Sequence, residues 1–181
     1  FGTSYLLDNK QTANGLATAR FNNYKEQPLQ FTFPANFDGK LPVLDTSKPR
    51  PKAAIIREKG SNSEREMANA MYLAGFDVKD VNMTDLISGR ENLEDVQCIG
   101  AVGGFSNSDV LGSAKGWAGA FMYNEKAKTA LANFFKREDT LSIGICNGCQ
   151  LFVELGLINP DHEEKPKMGH NDSFKHESGF T

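Results

Sequence analysis

Leu141-Ser142-Ile143-Gly144-Ile145-Cys146-Asn147-Gly148-Cys149-Gln150 is the most informative run of this sequence. Its apolar first half predicts a short strand over 141–145. Residues 147–155 then have the pattern of a helix closed by a glycine at 156. Between the two elements lies a Gly-x-Cys-x-Gly spacing, which is typical of a tight strand-to-helix turn. The run therefore predicts an exposed cysteine at the carboxyl end of a strand.

Cys146 stands where an activated nucleophile is expected. The unpaired N–H groups of the following helical turn favour the thiolate, the form that attacks a carbonyl carbon. Free cysteine is also one of the most buried residue types, so the alternative is a structural thiol in the core. The glycines at 144 and 148 favour the nucleophile. We take Cys146 as the candidate catalytic residue.

Cys146 and Cys149 also form a Cys-x-x-Cys pair, which occurs in redox dithiols and in zinc sites. A zinc site needs two further ligands, and Cys98 falls in an apolar run typical of a core strand. The spacings of the three histidines match no common zinc pattern. We predict no metal site and interpret Cys149 as a small apolar residue of the first helical turn.

Strand and helix patterns alternate before this run. Ser61 and Glu64 have capping-box spacing at the start of a predicted helix. Further apolar periodicity predicts strands over 53–56, 76–81 and 98–102 and a second helix over 127–135. The alternation predicts an α/β fold with a mostly parallel sheet and right-handed crossovers.

A second glycine motif, Gly103-Gly104-Phe105-Ser106, follows the strand predicted over 98–102. Paired glycines after a strand let N–H groups point at a ligand, and acyl transfer needs such donors for its oxyanion. We predict donors at the N–H of Gly104 or its neighbour and at that of Asn147. Alone, a Gly-Gly pair is more simply a turn. Sites form at the carboxyl ends of parallel strands, so 58–62, 103–109 and 146–150 are expected at one rim.

Residues 1–51 differ from the rest. Residues 8–26 predict one short helix, and prolines at 28, 34, 42, 49 and 51 predict an extended linker over 27–51. The chain starts with Phe1 rather than Met, as expected for a processed product or an excised piece.

The composition is that of an ordinary globular protein, with 39% hydrophobic and 24% charged residues and a net charge of −3. Nothing in it indicates a nucleic-acid partner, and no apolar run reaches the length of a membrane span. Because no secretory signal is present, the three cysteines are expected to be reduced thiols in the cytoplasm.

Further motifs occur in a fixed order together with those already described. They are Glu58-Lys59-Gly60-Ser61-Asn62, Glu66-Met67-Ala68, Asp109-Val110-Leu111-Gly112 and Gly116-Trp117-Ala118. Residues 53–181 thereby resemble the glutaminase domain of the phosphoribosylformylglycinamidine synthases, which are class I (triad-type) glutamine amidotransferases of purine biosynthesis. The resemblance implies a three-layer, flavodoxin-like sandwich over 52–181, truncated at its C-terminus. Residues 1–51 resemble the linker from a preceding synthetase domain of the large single-chain form.

The resemblance implies a ligase in which glutamine is split to glutamate and ammonia. The ammonia passes to an ATP-dependent synthetase site of the same polypeptide. Cys146 would form a glutamyl thioester, and Gly104 and Asn147 would supply oxyanion donors. The implied substrate-binding residues are Gly103, Phe105, Gln150, Asn171 and Ser173, although Gln150 is alternatively a solvated helix residue and the last two simple turn formers. No cofactor is expected here, because ATP and magnesium belong to the synthetase domain.

The sequence departs from the family pattern in three places. Asn107-Ser108 replaces the family's Tyr-Gly, which changes the flexibility of that loop, and His176 replaces a Phe. The family's catalytic His, with a Glu two residues later, is expected far downstream of the nucleophile. His162 and Glu164 have that spacing but lie too early, in an acidic loop, and are interpreted as solvated surface. The stretch 1–181 is therefore expected to be inactive alone.

Two other functions fit the same residues. One is a different elbow-cysteine hydrolase on the same scaffold, which ammonia release by a longer chain carrying the downstream His would distinguish. The other is a non-catalytic domain docked through residues 1–51, which would keep its function after Cys146→Ala.

Overall fold

The structure is a computed structural model that describes residues 15, 18, 19, 22, 32–40, 43 and 47–172. The chain divides into two compact units, Phe1–Lys40 and Leu41–Thr181. In the first unit, the predicted helix over 8–26 lies mostly outside the described residues, although residues 15, 18, 19 and 22 are helical. Phe33 and Phe37 stack with ring centroids 4.8 Å apart. The linker over 27–51 and the boundary at residue 51 stay predictions.

A parallel sheet forms the centre of the second unit. The strands of the described residues are β1 (Lys52–Arg57), β2 (Ser61–Asn62), β3 (Asp77–Asn82), β4 (Cys98–Ala101), β5 (Gly103–Gly104) and β6 (Leu141–Gly144). Four of them form the sheet, in the order β3-β1-β4-β6, and each neighbouring pair is parallel. β2 and β5 form a separate antiparallel ribbon. The chain leaves β1 toward β3 and leaves β4 toward β6, so strand order reverses between β1 and β4, where α/β proteins place their sites.

Helices lie on both faces of this sheet. In the described residues they are α1 (Glu64–Leu73), α2 (Met83–Ser88), α3 (Lys115–Met122), α4 (Glu125–Phe135) and α5 (Asn147–Glu154). A Cβ on Gly100 would lie 2.9 Å from the Met71 methyl of α1, whereas Ala101, the next residue, faces Gly148 of α5. Because successive strand residues point to opposite faces, α1 and α5 cover different faces. The result is a three-layer α/β/α arrangement.

Full burial explains the apolar runs of the central strands. Residues 53–56 of β1 and all four residues of β4 are buried, as expected for parallel strands covered on both faces. Trp117, Phe121 and Phe134 are also fully buried, where α3 and α4 pack together. Phe121 and Phe134 each contribute about 1.5–3 kcal/mol through removal of their side chains from water. The predicted α/β fold with a mostly parallel sheet is confirmed.

β6 differs from the other strands. It was predicted from an apolar pattern, and it pairs with β4 as one edge of the sheet, but Leu141 and Ile143 are 70% and 42% exposed. The apolar pattern therefore predicted the position of this strand correctly. It did not predict that these two side chains would be exposed.

The predicted capping box of Ser61 and Glu64 is wrong. Ser61 pairs with Gly104 in the ribbon, and α1 instead follows Ser63, which has φ 74° and makes no side-chain cap. A real capping box lies at Asn82 and Asp85, at the start of α2. The sequence reading missed α2 and α3, because α2 has only six residues and α3 contains two glycines.

Among the residues that the structure describes, none of the helices combines the length and apolar character that crossing a membrane requires.

Candidate functional site

Cys146 lies on a sharp turn between β6 and α5. Its backbone has φ 53° and ψ −109°, a conformation that belongs to neither strand nor helix, and its side chain is exposed. Three hydrogen bonds hold the turn. Ile145 N–H donates to the Ala101 carbonyl at 3.0 Å, Gly148 N–H to the Ile145 carbonyl at 2.9 Å, and Gln150 N–H to the Cys146 carbonyl at 3.1 Å. The predicted strand-to-helix turn with an exposed cysteine is confirmed.

The flanking glycines are required by space. A Cβ on Gly148 would lie 2.0 Å from the Ala101 carbonyl oxygen, and one on Gly144 would lie 2.6 Å from the Gly148 carbonyl oxygen. Real Cβ atoms do not approach other atoms so closely. α5 therefore rests directly on the end of β4, and this close approach fixes Cys146 above the sheet.

The Gly103–Ser106 loop is held by the ribbon. Ser61 pairs with Gly104, and Asn62 pairs with Gly103. Phe105 N–H donates to the Gly60 carbonyl at 2.9 Å. Gly104 has φ 104°, and a Cβ there would lie 2.7 Å from both Asn62 N and Gly60 O, so the position admits only glycine. Residues 58–62 and 103–109 thus meet, as predicted.

This loop also reaches Cys146. A Cβ on Gly103 would lie 3.4 Å from the Cys146 Cβ, which is ordinary van der Waals contact. Phe105 is 68% exposed beside them. All three strand-end segments therefore converge on one rim of the sheet, and Gly103, Gly104 and Cys146 form its centre.

Asn147 contributes a contact that sequence reasoning missed. Its side chain is only 1% exposed; Oδ1 accepts a hydrogen bond from Ser106 N–H at 3.1 Å, and Nδ2 donates to Gln150 Oε1 at 2.8 Å. Ser106 is also 1% exposed, and its hydroxyl has no partner within the described part of the chain. The two residues are 41 positions apart, so no local pattern in the sequence signals their contact.

The loop after Ser106 has an unusual backbone. Asn107, Ser108 and Asp109 have φ values of 53°, 56° and 51° in succession. The Asp109 carboxylate accepts a hydrogen bond from Ala114 N–H at 3.2 Å and so ties the loop to the start of α3. Left-handed conformations are unfavourable for residues with a Cβ. The sequence departure at Asn107-Ser108 therefore places a serine where a glycine would fit better.

The remaining cysteines, histidines and polar residues that the sequence suggested lie in several parts of the chain. Cys149 lies in the first turn of α5, as predicted, and its side chain is exposed. Cys98 is buried in β4, and burial raises the pKa of its thiol. His162 and Glu164 are exposed and contact each other through the histidine ring and the Glu164 backbone. Asn171 is exposed, and Ser173 and His176 lie outside the described residues.

Nowhere in the described residues do three or more His, Cys, Asp or Glu side chains group as a site for a metal ion. What the rim offers is a strained, exposed thiol beside a glycine loop, and this arrangement suits addition of sulfur to a carbonyl group.

Comparisons with known proteins show what this chain is similar to. A family model described as a CobB/CobQ-like glutamine amidotransferase domain matches residues 50–181. Phosphoribosylformylglycinamidine synthase of Homo sapiens is 43% identical over 169 residues, which cover 92% of this chain and 13% of the human protein. A solved structure of PurLQS from Thermotoga maritima is 30% identical, with a TM-score of 0.50, and the match covers 60% of this chain and 46% of that one. The chain thus spans a small part of the length of the curated relative.

Proposed function

Because the chain belongs to the family of CobB/CobQ-like glutamine amidotransferase domains, we propose that it is the glutaminase part of a phosphoribosylformylglycinamidine synthase. It hydrolyses glutamine and delivers the ammonia to an ATP-dependent synthetase site. The observation that carries the proposal is the position of Cys146, which is exposed on its turn and lies so near Gly103 that a Cβ there would be 3.4 Å from the Cys146 Cβ. The predicted family is confirmed by the comparisons, and its chemistry at these residues is our proposal.

The reaction begins with attack of the Cys146 thiolate on the side-chain carbonyl carbon of glutamine. A C–S bond forms, and the carbonyl oxygen becomes an oxyanion. The C–N bond then breaks, the amino group leaves as ammonia after protonation, and a glutamyl thioester remains. Water adds to the thioester and releases glutamate and the thiolate.

Backbone donors for the oxyanion follow from the pattern of hydrogen bonds. In an antiparallel ribbon, hydrogen-bonded pairs alternate with non-hydrogen-bonded ones, and Phe105 N–H already bonds to Gly60. Gly104 N–H is therefore turned away from β2. Asn147 is the first residue of α5, so its N–H has no partner inside the helix. We propose these two N–H groups as the oxyanion donors.

Substrate binding involves the residues around this pair. Gly103 leaves room beside Cys146, Phe105 supplies an exposed apolar face, and Gln150 contacts the substrate amide. Asn171 and Ser173 contact the amino-acid end of glutamine. The support for these two roles is the family resemblance of the run 170–173.

Use of the ammonia, and the general base that glutamine hydrolysis needs, involve residues outside 1–181. The synthetase domain of the same polypeptide binds ATP and magnesium and consumes the ammonia in the cytoplasm. The family's catalytic His and Glu belong downstream of the nucleophile, and neither His162 nor Glu164 is assigned to them. We propose that residues 1–181 alone do not turn glutamine over.

Ammonia release from glutamine tests the proposal. In the full-length protein that contains this domain, Cys146→Ala is expected to lower the rate by at least about 10³-fold, as for loss of a nucleophile that acts with partners. Cys149→Ala is the matched control and is expected to keep activity. Equal rates in Cys146→Ala and the unaltered protein would overturn the proposal. Turnover by residues 1–181 alone would overturn the claim of inactivity.

A further inference from the structure

We propose that Asn147 is a positioning residue whose side chain makes two separate contributions to the site. Its hydrogen bond from Ser106 N–H, here called the latch, ties the Gly103–Ser106 loop to α5, and its hydrogen bond to Gln150 fixes the orientation of the Gln150 amide. This inference rests on the proposed function and assigns the side chain of Asn147 a role separate from that of its backbone N–H. Its basis is the pair of hydrogen bonds that a buried amide makes to two different segments of the site.

The first bond latches the loop. Ser106 N–H donates to Asn147 Oδ1, so the segment after β4 is tied to the segment after β6. These two segments carry the proposed donors, Gly104 N–H and Asn147 N–H. Ser106 and Asn147 are each 1% exposed, and they are the buried polar residues of the described core. Because a buried polar group left without a partner costs free energy, the latch resists opening and keeps the two donors at a fixed separation.

The second hydrogen bond determines which end of the Gln150 side-chain amide faces Asn147. A backbone N–H can only donate, so the atom of Asn147 facing Ser106 must be its oxygen. The amide nitrogen of Asn147 then faces Gln150 and can only donate, so Gln150 must accept with Oε1, as observed at 2.8 Å. Nε2 of Gln150 keeps both of its hydrogens for another partner. Gln150 therefore presents a donor, which suits an oxygen of the substrate and not its ammonium group.

The two bonds predict separable effects. Loss of the latch disturbs the oxyanion donors, which act on the transition state, and therefore lowers kcat. Loss of the bond to Gln150 lets that amide rotate and present its oxygen, which weakens ground-state binding and raises KM. A residue that merely stabilised the fold would not divide its effects in this way.

A double-mutant cycle on ammonia release by the full-length protein tests the proposal. We expect Asn147→Ala to lower kcat about tenfold or more, as for loss of oxyanion stabilisation, and Gln150→Ala to raise KM roughly three- to tenfold. In the Gln150→Ala background, Asn147→Ala should still lower kcat but should raise KM no further. If Asn147→Ala raised KM by the same factor in the unaltered protein and in Gln150→Ala, the proposal that Asn147 acts through Gln150 would be overturned.

Two further measurements keep the proposal testable if Asn147→Ala folds poorly. Gln150→Glu keeps an acceptor for Asn147 but replaces the Nε2 donor with a carboxylate oxygen, so KM should rise about tenfold or more with kcat little changed. An unchanged KM would overturn the polarity argument. Hydrogen exchange at the Ser106 amide should be slow in the unaltered protein and should stay slow in Gln150→Ala. Fast exchange at Ser106 in the unaltered protein would overturn the proposed latch.

A matched control removes a similar asparagine contact elsewhere. Asn124 Oδ1 accepts a hydrogen bond from Ala127 N–H at the start of α4, at 3.0 Å. Asn124→Ala is expected to leave kcat and KM unchanged, and equal effects at both asparagines would overturn the inference. The outcomes are distinguishable from failure of the proposed function, in which ammonia release would not depend on Cys146 at all.

Discussion

Gly148 lies against Ala101 so closely that a Cβ on Gly148 would come within 2.0 Å of the Ala101 carbonyl oxygen. The first turn of α5 is thereby seated on the end of β4, and Cys146 is presented two residues earlier. The position of the Cys146 thiol therefore depends on the close approach of Gly148 to the Ala101 backbone.

Gly148→Ala should displace α5 from the sheet. Overpacking of this kind costs about 1–3 kcal/mol in the free energy of unfolding, and here the obstacle is backbone that cannot rotate away. We expect Gly148→Ala to have a lower urea midpoint than the unaltered protein. Gly169→Ala is the control, because nothing lies within 4 Å of a Cβ at that position. Equal midpoints for the two variants would contradict the close contact.

Ser108 offers a stabilising substitution. It has φ 56° and ψ 17°, in the middle of three successive left-handed residues. That conformation costs a residue with a Cβ about 1 kcal/mol or more, while glycine loses more freedom on folding. We expect Ser108→Gly to raise the free energy of unfolding by a few tenths to about 1 kcal/mol, measured by urea denaturation.

The control for this substitution is Ser88→Gly. Ser88 lies in α2, and its hydroxyl donates to the Asp85 carbonyl at 3.1 Å. Glycine there should destabilise by roughly 0.5–1 kcal/mol. The two substitutions therefore have opposite expected signs, and destabilisation by both would contradict the backbone assignment at Ser108.

Much of the site was predictable because its signals are local. The glycines around Cys146 are two positions away from it in the sequence, and the Gly103-Gly104 pair directly follows a recognisable strand. The helices near 127–135 and 147–155 were placed to within two residues of α4 and α5, since their apolar periodicity is regular.

Other features were not predictable because they depend on contacts between distant segments. Ser61 reads as a helix cap, yet its pairing with Gly104 places it in a ribbon. Nothing near Asn147 in the sequence indicates that its amide accepts a hydrogen bond from Ser106 N–H. The exposure of Cys149 follows from where α5 lies on the sheet, and a helical pattern alone does not fix that position.

Acid should weaken the ion pairs that Asp95 forms with Lys52 and Lys79. Hydrogen bonds from Lys52 and Lys79, at 2.6 and 2.7 Å, lower the pKa of Asp95 to about 2. Because the folded pKa lies below the unfolded value of about 3.9, the stabilisation is complete above about pH 4 and is lost as pH falls toward 2. The Asp95 side chain is 48% exposed, so solvent screening limits the effect to about 1 kcal/mol or less.

Asp95→Asn tests this pH dependence. Urea denaturation should show the variant less stable than the unaltered protein near about pH 6, with a difference that disappears near about pH 2. Asp161→Asn, at an exposed loop position, is the control substitution and should change the free energy of unfolding little near about pH 6. A stability difference for Asp95→Asn that grows as the pH falls would have the wrong sign for a lowered pKa.

Detection of the covalent intermediate would test the role of Cys146 as the nucleophile. The full-length protein is mixed with glutamine and quenched in acid, and the peptide that contains Cys146 is examined by mass spectrometry. The proposed mechanism predicts a glutamyl thioester on Cys146 that persists in Cys149→Ala and is absent in Cys146→Ala. Ammonia release without any adduct at Cys146, or with the adduct at another residue, would contradict it.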